Sequence, residues 1–241
     1  MKHLGILLLL LCIAANGQHS DWKKIHALES EGRIKSAMAK AERVYKRAVK
    51  RGDEPLQIKA LLYKSRYEQH LDHTANAKIL KNFEAGLQTL SPSSVAIFSL
   101  MYVKAIPLQH YSDWGFTRPR GSFELTTWSR DDYELKIDSL YNLALSSARL
   151  DKKPLANFRL LFNIADTTDF NSQTVYDYVL KQAIDYHTGK SSPMESDSLA
   201  GLLVPTDEFV KLDFSQPKWA ANRKALELLK EAEAHWRVSA F

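Results

Sequence analysis

Cysteine occurs once in the 241 residues, at Cys12. The stretch around it, "MKHLGILLLLLCIAANG", has the layout of a secretory leader: Lys2, an apolar core from Leu4 to Ala15, then small residues at Ala15 and Gly17. Cleavage just before Gln18 is expected, which makes residues 1–17 a signal peptide. The chain that remains has no thiol, and this excludes disulfides, cysteine nucleophiles and thiolate metal sites. Leucines precede Cys12 where a bacterial lipoprotein signal places a small residue, which speaks against a lipid anchor. Long apolar runs are also missing. The leader core falls short of the roughly 20 residues that span a bilayer, and nothing further along comes close, so no transmembrane segment is expected in the mature chain.

Catalytic signatures are equally scarce. The sequence contains no G-x-S-x-G, no G-x-x-x-x-G-K and no G-x-G-x-x-G, the patterns that mark serine nucleophiles, phosphate loops and dinucleotide sites. No nucleophile can be named together with its base. The expectation is a protein that is not an enzyme and carries no cofactor. Period-2 alternation, the mark of strands, is absent too.

What is present is helical periodicity. Apolar residues recur at helical spacing over Trp22–Glu31, Ile34–Arg51, Glu54–Leu71, Ala75–Leu90 and Ser93–Ile106, and again over Arg130–Arg149, Leu155–Ala165, Gln173–His187 and Pro217–Val238. Pro107 ends the first series. The stretch "YSDWGFTRPRGSFELT", Tyr111 to Thr126, holds two glycines and a proline and marks the best internal boundary. Ser129 with Asp132 three residues on forms a capping-box pattern at the start of the second series. A polar linker, "TGKSSPMESDS", precedes the last helix, and the sequence stops at Phe241 soon after it, a hint of a longer polypeptide.

The predicted organisation is a signal peptide over 1–17, a helical-hairpin group over 18–110, an irregular connection over 111–126 and a second helical group over 127–241. Helices paired by short turns, with lengths bracketing a period of roughly 34 residues, predict an all-α stack of hairpins, an α-solenoid of tetratricopeptide-like geometry. Gly32 and Ala37 stand five apart as in that repeat, but Ala41 and Val44 occupy positions where its consensus has an aromatic and an alanine.

Charge is unevenly spread. From Trp22 to Arg66 there are 13 Lys and Arg against 5 Asp and Glu; from Tyr67 onward the count is 19 against 22. On a helical wheel Ile34, Ala37, Met38, Ala41, Val44, Tyr45 and Ala48 fall on one side of the helix over Ile34–Arg51, and Lys40, Arg43, Lys46, Arg47 and Lys50 mostly on the other. The apolar side is rich in alanine, which suits a packed neighbour and gives a membrane little to hold. Stacking aromatics of the kind a nucleic-acid groove uses are missing. Two readings stay open for the basic side: a solvated outer face, or a docking surface for an acidic protein partner through Lys40, Arg43, Arg47 and Lys50.

Three smaller constellations carry weaker chemistry. His70 and His73 stand three apart with Asp72 between them, but a catalytic zinc needs a third protein ligand, and none is signalled. Asp177 and Asp185 lie about 12 Å apart along a helix, too far for a glycosidase pair. Core packing by Val175, Tyr178, Val179, Ala183 and Ile184 accounts better for that stretch, which ends at His187. Trp114, Phe116 and Trp128 flank the irregular connection, as pocket lining or as loop anchors.

Taken in order, "GRIKSAMAKAERVYKRAVKRGDEPLQIKALLYKSRYEQHLD", "LTTWSRDDYELKIDSLYNLAL" and "TVYDYVLKQAIDYH" resemble the helical N-terminal region of large bacterial alpha-2-macroglobulin-like envelope proteins. In that family the region precedes a series of β-sandwich domains, and the whole belongs to the protease-trapping class. Many members carry a thioester built at a C-x-E-Q motif. This sequence has neither the motif nor a cysteine beyond Cys12, so the resemblance implies a place in such a protein and transfers no trapping chemistry to any residue. The expectation is therefore a non-catalytic helical scaffold, exported to the periplasm or outer envelope, whose partner is protein: its own downstream macroglobulin-type domains or an envelope component, and not nucleic acid. The alternative is a free-standing periplasmic adaptor of tetratricopeptide-like kind.

Overall fold

Turn chemistry sets the first three helices. A computed structural model describes residues 21–72, 75–106, 129–162, 168–191, 193–194, 198 and 201–239. Helix α1 covers 21–30, α2 Ile34–Arg51 and α3 Glu54–Leu71, the last two with the boundaries expected from the sequence. Gly52 ends α2 at φ +66°, a left-handed backbone that a β-carbon opposes. The Asp53 N–H then reaches back to the Ala48 carbonyl at 3.0 Å, closing the last turn. Asp53 also starts α3, its carboxylate accepting from the Leu56 N–H at 3.2 Å, with Pro55 in the first turn, where a missing N–H costs nothing.

Small residues decide how α2 and α3 meet. Ala37, Ala41, Val44 and Ala48, spaced by four, three and four, are buried, and Ala60 of α3 is buried opposite them. Alanine at the seam brings the two backbones close, which is why α2 packs so extensively on α3. Helix α1 closes this unit: Trp22 and Ile25 are buried against it, and the Trp22 ring lies 4.8 Å from that of Tyr63.

The centre of the molecule is α5, Pro92–Ala105, preceded by α4, Asn76–Leu87. Every residue from Ser93 to Leu100 is buried, so α5 is covered on all sides. Val95, Phe98 and Tyr102 join one core with α3, α4 and α6, Arg130–Leu150. Ala96, Ile97 and Leu100 join a second core with α6 and α8, Val175–Lys190. Helices α5 and α6, on either side of 107–128, pack along each other. That interval contains the expected connection Tyr111–Thr126, together with Trp114, Phe116 and Trp128, and lies outside the described residues, as do residues 1–17 and His73.

A carboxylate fixes the central helix at its start. Glu54 of α3 accepts from the Ser91 N–H at 2.8 Å and from the hydroxyls of Ser91 and Ser94 at 2.5 and 2.6 Å, supplying acceptors to the free donors at the beginning of α5. Ser93, also buried, donates to the Asp151 carbonyl at 2.6 Å beyond the end of α6.

Several boundaries differ from the sequence reading. The segment expected as a helix over Leu155–Ala165 is a 3-10 helix over Leu155–Leu161, and residues 163–167 lie outside the described set. Its buried side chains Leu155 and Phe158 are three apart, the 3-10 period. The Leu155 N–H bonds to the Gln173 carbonyl at 2.9 Å and the Val175 N–H to the Lys153 carbonyl at 2.8 Å, an isolated antiparallel bridge. That bridge keeps Gln173 out of α8, which instead opens at Val175 under a Thr174–Asp177 capping box. Two short helices, α7 over Thr168–Ser172 and α9 over Thr206–Phe209, and a 3-10 turn over Pro217–Trp219 precede α10, Arg223–Ser239. The fold is all-α, with no strand among the described residues.

Candidate functional site

The four basic residues singled out by the sequence divide into two pairs. Lys40 and Arg47 both reach Asp21, the residue that opens α1: the Lys40 ammonium stands 2.9 Å from one carboxylate oxygen, and the Arg47 guanidinium donates to the other. Burial alone would raise the Asp21 carboxyl, but hydrogen bonds from Lys40 and Arg47 outweigh it and hold the pKa below the usual aspartate value. These two cations serve to seat α1 on α2. Lys40 is only 20 % exposed at its side chain, although the wheel placed it on the outer side.

Arg43 and Lys50 behave differently. Both are exposed, and among the described residues neither has an ion pair. Lys46, between them, is held 3.5 Å from Glu42, which also takes Lys64 of α3 at 2.8 Å. Burial acts to raise the Glu42 carboxyl as well, and the Lys64 contact overcomes it, leaving the pKa lowered. A shallow depression bounded by Asp21, Lys40, Arg43, Val44, Lys46 and Arg47 follows from this arrangement. Its lining already contains the Asp21 carboxylate, which neutralises Lys40 and Arg47, while Arg43, with Lys50 and Arg51 about two turns further along α2, keeps its charge among the described residues.

A second set of contacts joins α1 to α3. Lys59 of α3 sits 4.8 Å above the Trp22 ring, and Arg66 lies 4.6 Å from the Tyr63 ring while donating to Glu29. Tyr67 donates to the other Glu29 oxygen at 3.1 Å. The aromatic faces are therefore covered by cations of the same protein, and the group fastens α1 to α3.

The remaining sequence candidates are dispersed. His70 is exposed at the end of α3, and among the described residues no group of three His, Cys, Asp or Glu side chains is placed to hold a metal. Val175, Val179 and Ala183 are buried in the core and Tyr178 and Ile184 pack against it, as the sequence implied. Asp177 has a role that its spacing to Asp185 did not indicate. One of its oxygens accepts from the Thr174 N–H and hydroxyl, at 2.8 and 2.6 Å, while the other lies 2.8 Å from the His235 ring and accepts from the Trp236 indole at 3.3 Å. Beside it Tyr176 and Arg149 both donate to Glu231. Asp177 and Glu231 thus lock α10 onto α8 and α6. The T-x-x-D pattern at Thr174 was a readable signal for the cap; the contacts to α10 span 58 and 59 residues and had none.

No helix among the described residues is long and apolar enough to cross a membrane. No protein-family model, curated protein or solved structure matches the chain.

Proposed function

We propose that this chain is a non-catalytic helical interaction module of an exported protein, stacked from helical hairpins in a solenoid of tetratricopeptide-like geometry, which docks an acidic protein surface on the outer side of α2. The observation that carries this reading is the division of labour among the basic residues. Lys40 and Arg47 are consumed by Asp21, whereas Arg43 and Lys50 project from the same helix with no ion pair among the described residues. Exposed cations two turns apart on one helix, with no ion pair among the described residues, supply a complementary potential and an electrostatically steered encounter. The resemblance to the N-terminal region of alpha-2-macroglobulin-like envelope proteins supports reading the module as part of a protein of the protease-trapping class, with no thioester chemistry carried over to any residue here.

The test is a double variant, Arg43→Gln with Lys50→Gln, used alongside wild type to capture partners from envelope extract. Retained helicity with capture lost, and capture by wild type that weakens as salt is raised, supports the proposal. Capture unchanged in the variant overturns it. Coding sequence continuing past Phe241 into β-sandwich domains supports the macroglobulin placement, and a stop codon there favours the free-standing adaptor.

A further inference from the structure

A different part of the molecule carries a binding site of its own. Between α3, α5, the 3-10 segment and α8 lies an open cavity of about 390 Å³, within the ~300–1,000 Å³ range of small-molecule sites. Its walls are apolar side chains, among them Leu62, Met101, Leu161 and Phe162. These are only partly covered by the adjoining cores, so apolar surface is left facing the cavity.

Two residues with polar ends stand among the lining, Lys104 and Tyr178. Lys104 is exposed, and among the described residues it has no carboxylate partner. Its place in the last turn of α5 suits a cation, and its ammonium carries three donors. Tyr178 packs its ring edge-on against Phe162 at 5.2 Å, and its hydroxyl is not bonded to any described residue. Burial pushes the Tyr178 pKa up, which keeps the phenol protonated and able to donate. Among the described residues no Asp or Glu lines the cavity. Apolar walls that carry one cationic and one phenolic residue, with no anion among the described lining residues, are complementary to an apolar tail with a negative head.

We infer that this cavity binds a single-chain alkyl carboxylate, with its chain between Leu62, Met101, Leu161 and Phe162 and its carboxylate on Lys104 and Tyr178. The volume accommodates a chain on the order of ten carbons. The cavity is not adjacent to any residue of the basic face on α2, so the inference stands independently of the docking proposal.

The experiment is a calorimetric titration of the whole protein with dodecanoate below its micellar range, compared with dodecanol and dodecyltrimethylammonium. Saturable one-to-one binding of dodecanoate is expected, with dodecanol about tenfold weaker and the quaternary ammonium weaker still. Lys104→Gln should reduce dodecanoate affinity about tenfold while leaving dodecanol unchanged. Ala105→Trp, at an exposed position on the cavity wall, should abolish binding of both with no change in helicity. Equal binding of carboxylate and ammonium, an unaltered isotherm in Ala105→Trp, or no saturable binding overturns the inference. The ligand series on wild type decides the matter even if a variant fails to fold. Capture of an apolar peptide with no carboxylate preference overturns it as well.

Discussion

Replacing Glu54 by alanine tests the claim that a single carboxylate organises the central helix. Its three hydrogen bonds, from the Ser91 amide and the Ser91 and Ser94 hydroxyls, are at 2.5 to 2.8 Å. Bonds to an ionised acceptor contribute about 1.5–3 kcal/mol each at most, and removing the acceptor leaves the Ser94 hydroxyl in a position only 1 % exposed. Partial solvent access at Glu54 and relaxation of Ser91 reduce the sum, so a loss of about 2–4 kcal/mol is expected from urea unfolding at pH 7. Glu54→Gln keeps one acceptor oxygen and should lose about half as much. The two variants also differ from wild type in acid. Burial acts to raise the Glu54 carboxyl, but the serine hydrogen bonds prevail and hold its folded pKa below that of an ordinary glutamate. The unfolded chain then binds more protons than the folded one between the two values. The contribution is therefore complete above about pH 4.5 and is lost as pH falls through the folded value, and Glu54→Gln should flatten that part of the acid limb. A change under about 0.5 kcal/mol at pH 7, or an acid limb as steep in the Gln variant as in wild type, would refute the reasoning.

Ala41→Phe places a ring in the α2–α3 seam, where Ala41 is fully buried, and should lower stability by about 1–3 kcal/mol in the same urea assay. Exchanging Lys40, Arg43, Arg47 and Lys50 together for Gln should retain the helical circular-dichroism spectrum, while the loss of both Asp21 contacts makes α1 more open to limited proteolysis than in the Arg43, Lys50 double variant. His187 stands against Tyr141 and Tyr186 with its Nε2 buried and unbonded among the described residues; burial lowers its pKa, Asp138 opposes this, and Lys224 and Lys190 add to it. Its contribution is complete above the unfolded value of about 6.5 and declines as pH falls from there towards the lowered folded value, so thermal unfolding of His187→Phe between pH 7 and 5 should show a smaller drop in Tm than wild type.

The parts of the fold legible in the sequence are those fixed by neighbours along the chain. Gly52, Asp53 and Pro55 define a stop, a cap and a start within four residues, so α2 and α3 were bounded correctly. Ser129 and Asp132 did the same for α6. The 3-10 segment was misread because its conformation depends on bridging to residues 173–175, a pairing that periodicity does not encode. The basic side of α2 was half legible. A wheel separates polar from apolar sides, but the choice of Lys40 and Arg47 by Asp21 joins residues up to 26 apart. The cavity was not legible at all, since four separate segments meet to form it.

The same long-range pairings engage the carboxylates of this region. Asp21 ties α1 to α2, Glu29 ties α1 to α3 through Arg66 and Tyr67, and Glu42 ties α2 to α3 through Lys64. Asp53 caps α3, Glu54 caps α5, and Glu31 holds Arg33 beside the first turn at 3.1 Å. Every acidic residue between Asp21 and Arg66 thus has a partner within the fold. With the acids engaged in this way, several cations, Arg43 and Lys50 of α2 among them, have no ion pair among the described residues. Arg43 and Lys50 lie two turns apart with Lys46 between them, a spacing at which like charges repel weakly. An arrangement that accepts this repulsion while fixing its scaffold with partly buried carboxylates leaves that charge unmatched among the described residues, and it is this unmatched charge that the proposed docking of an acidic protein surface would answer without rearranging the helices beneath.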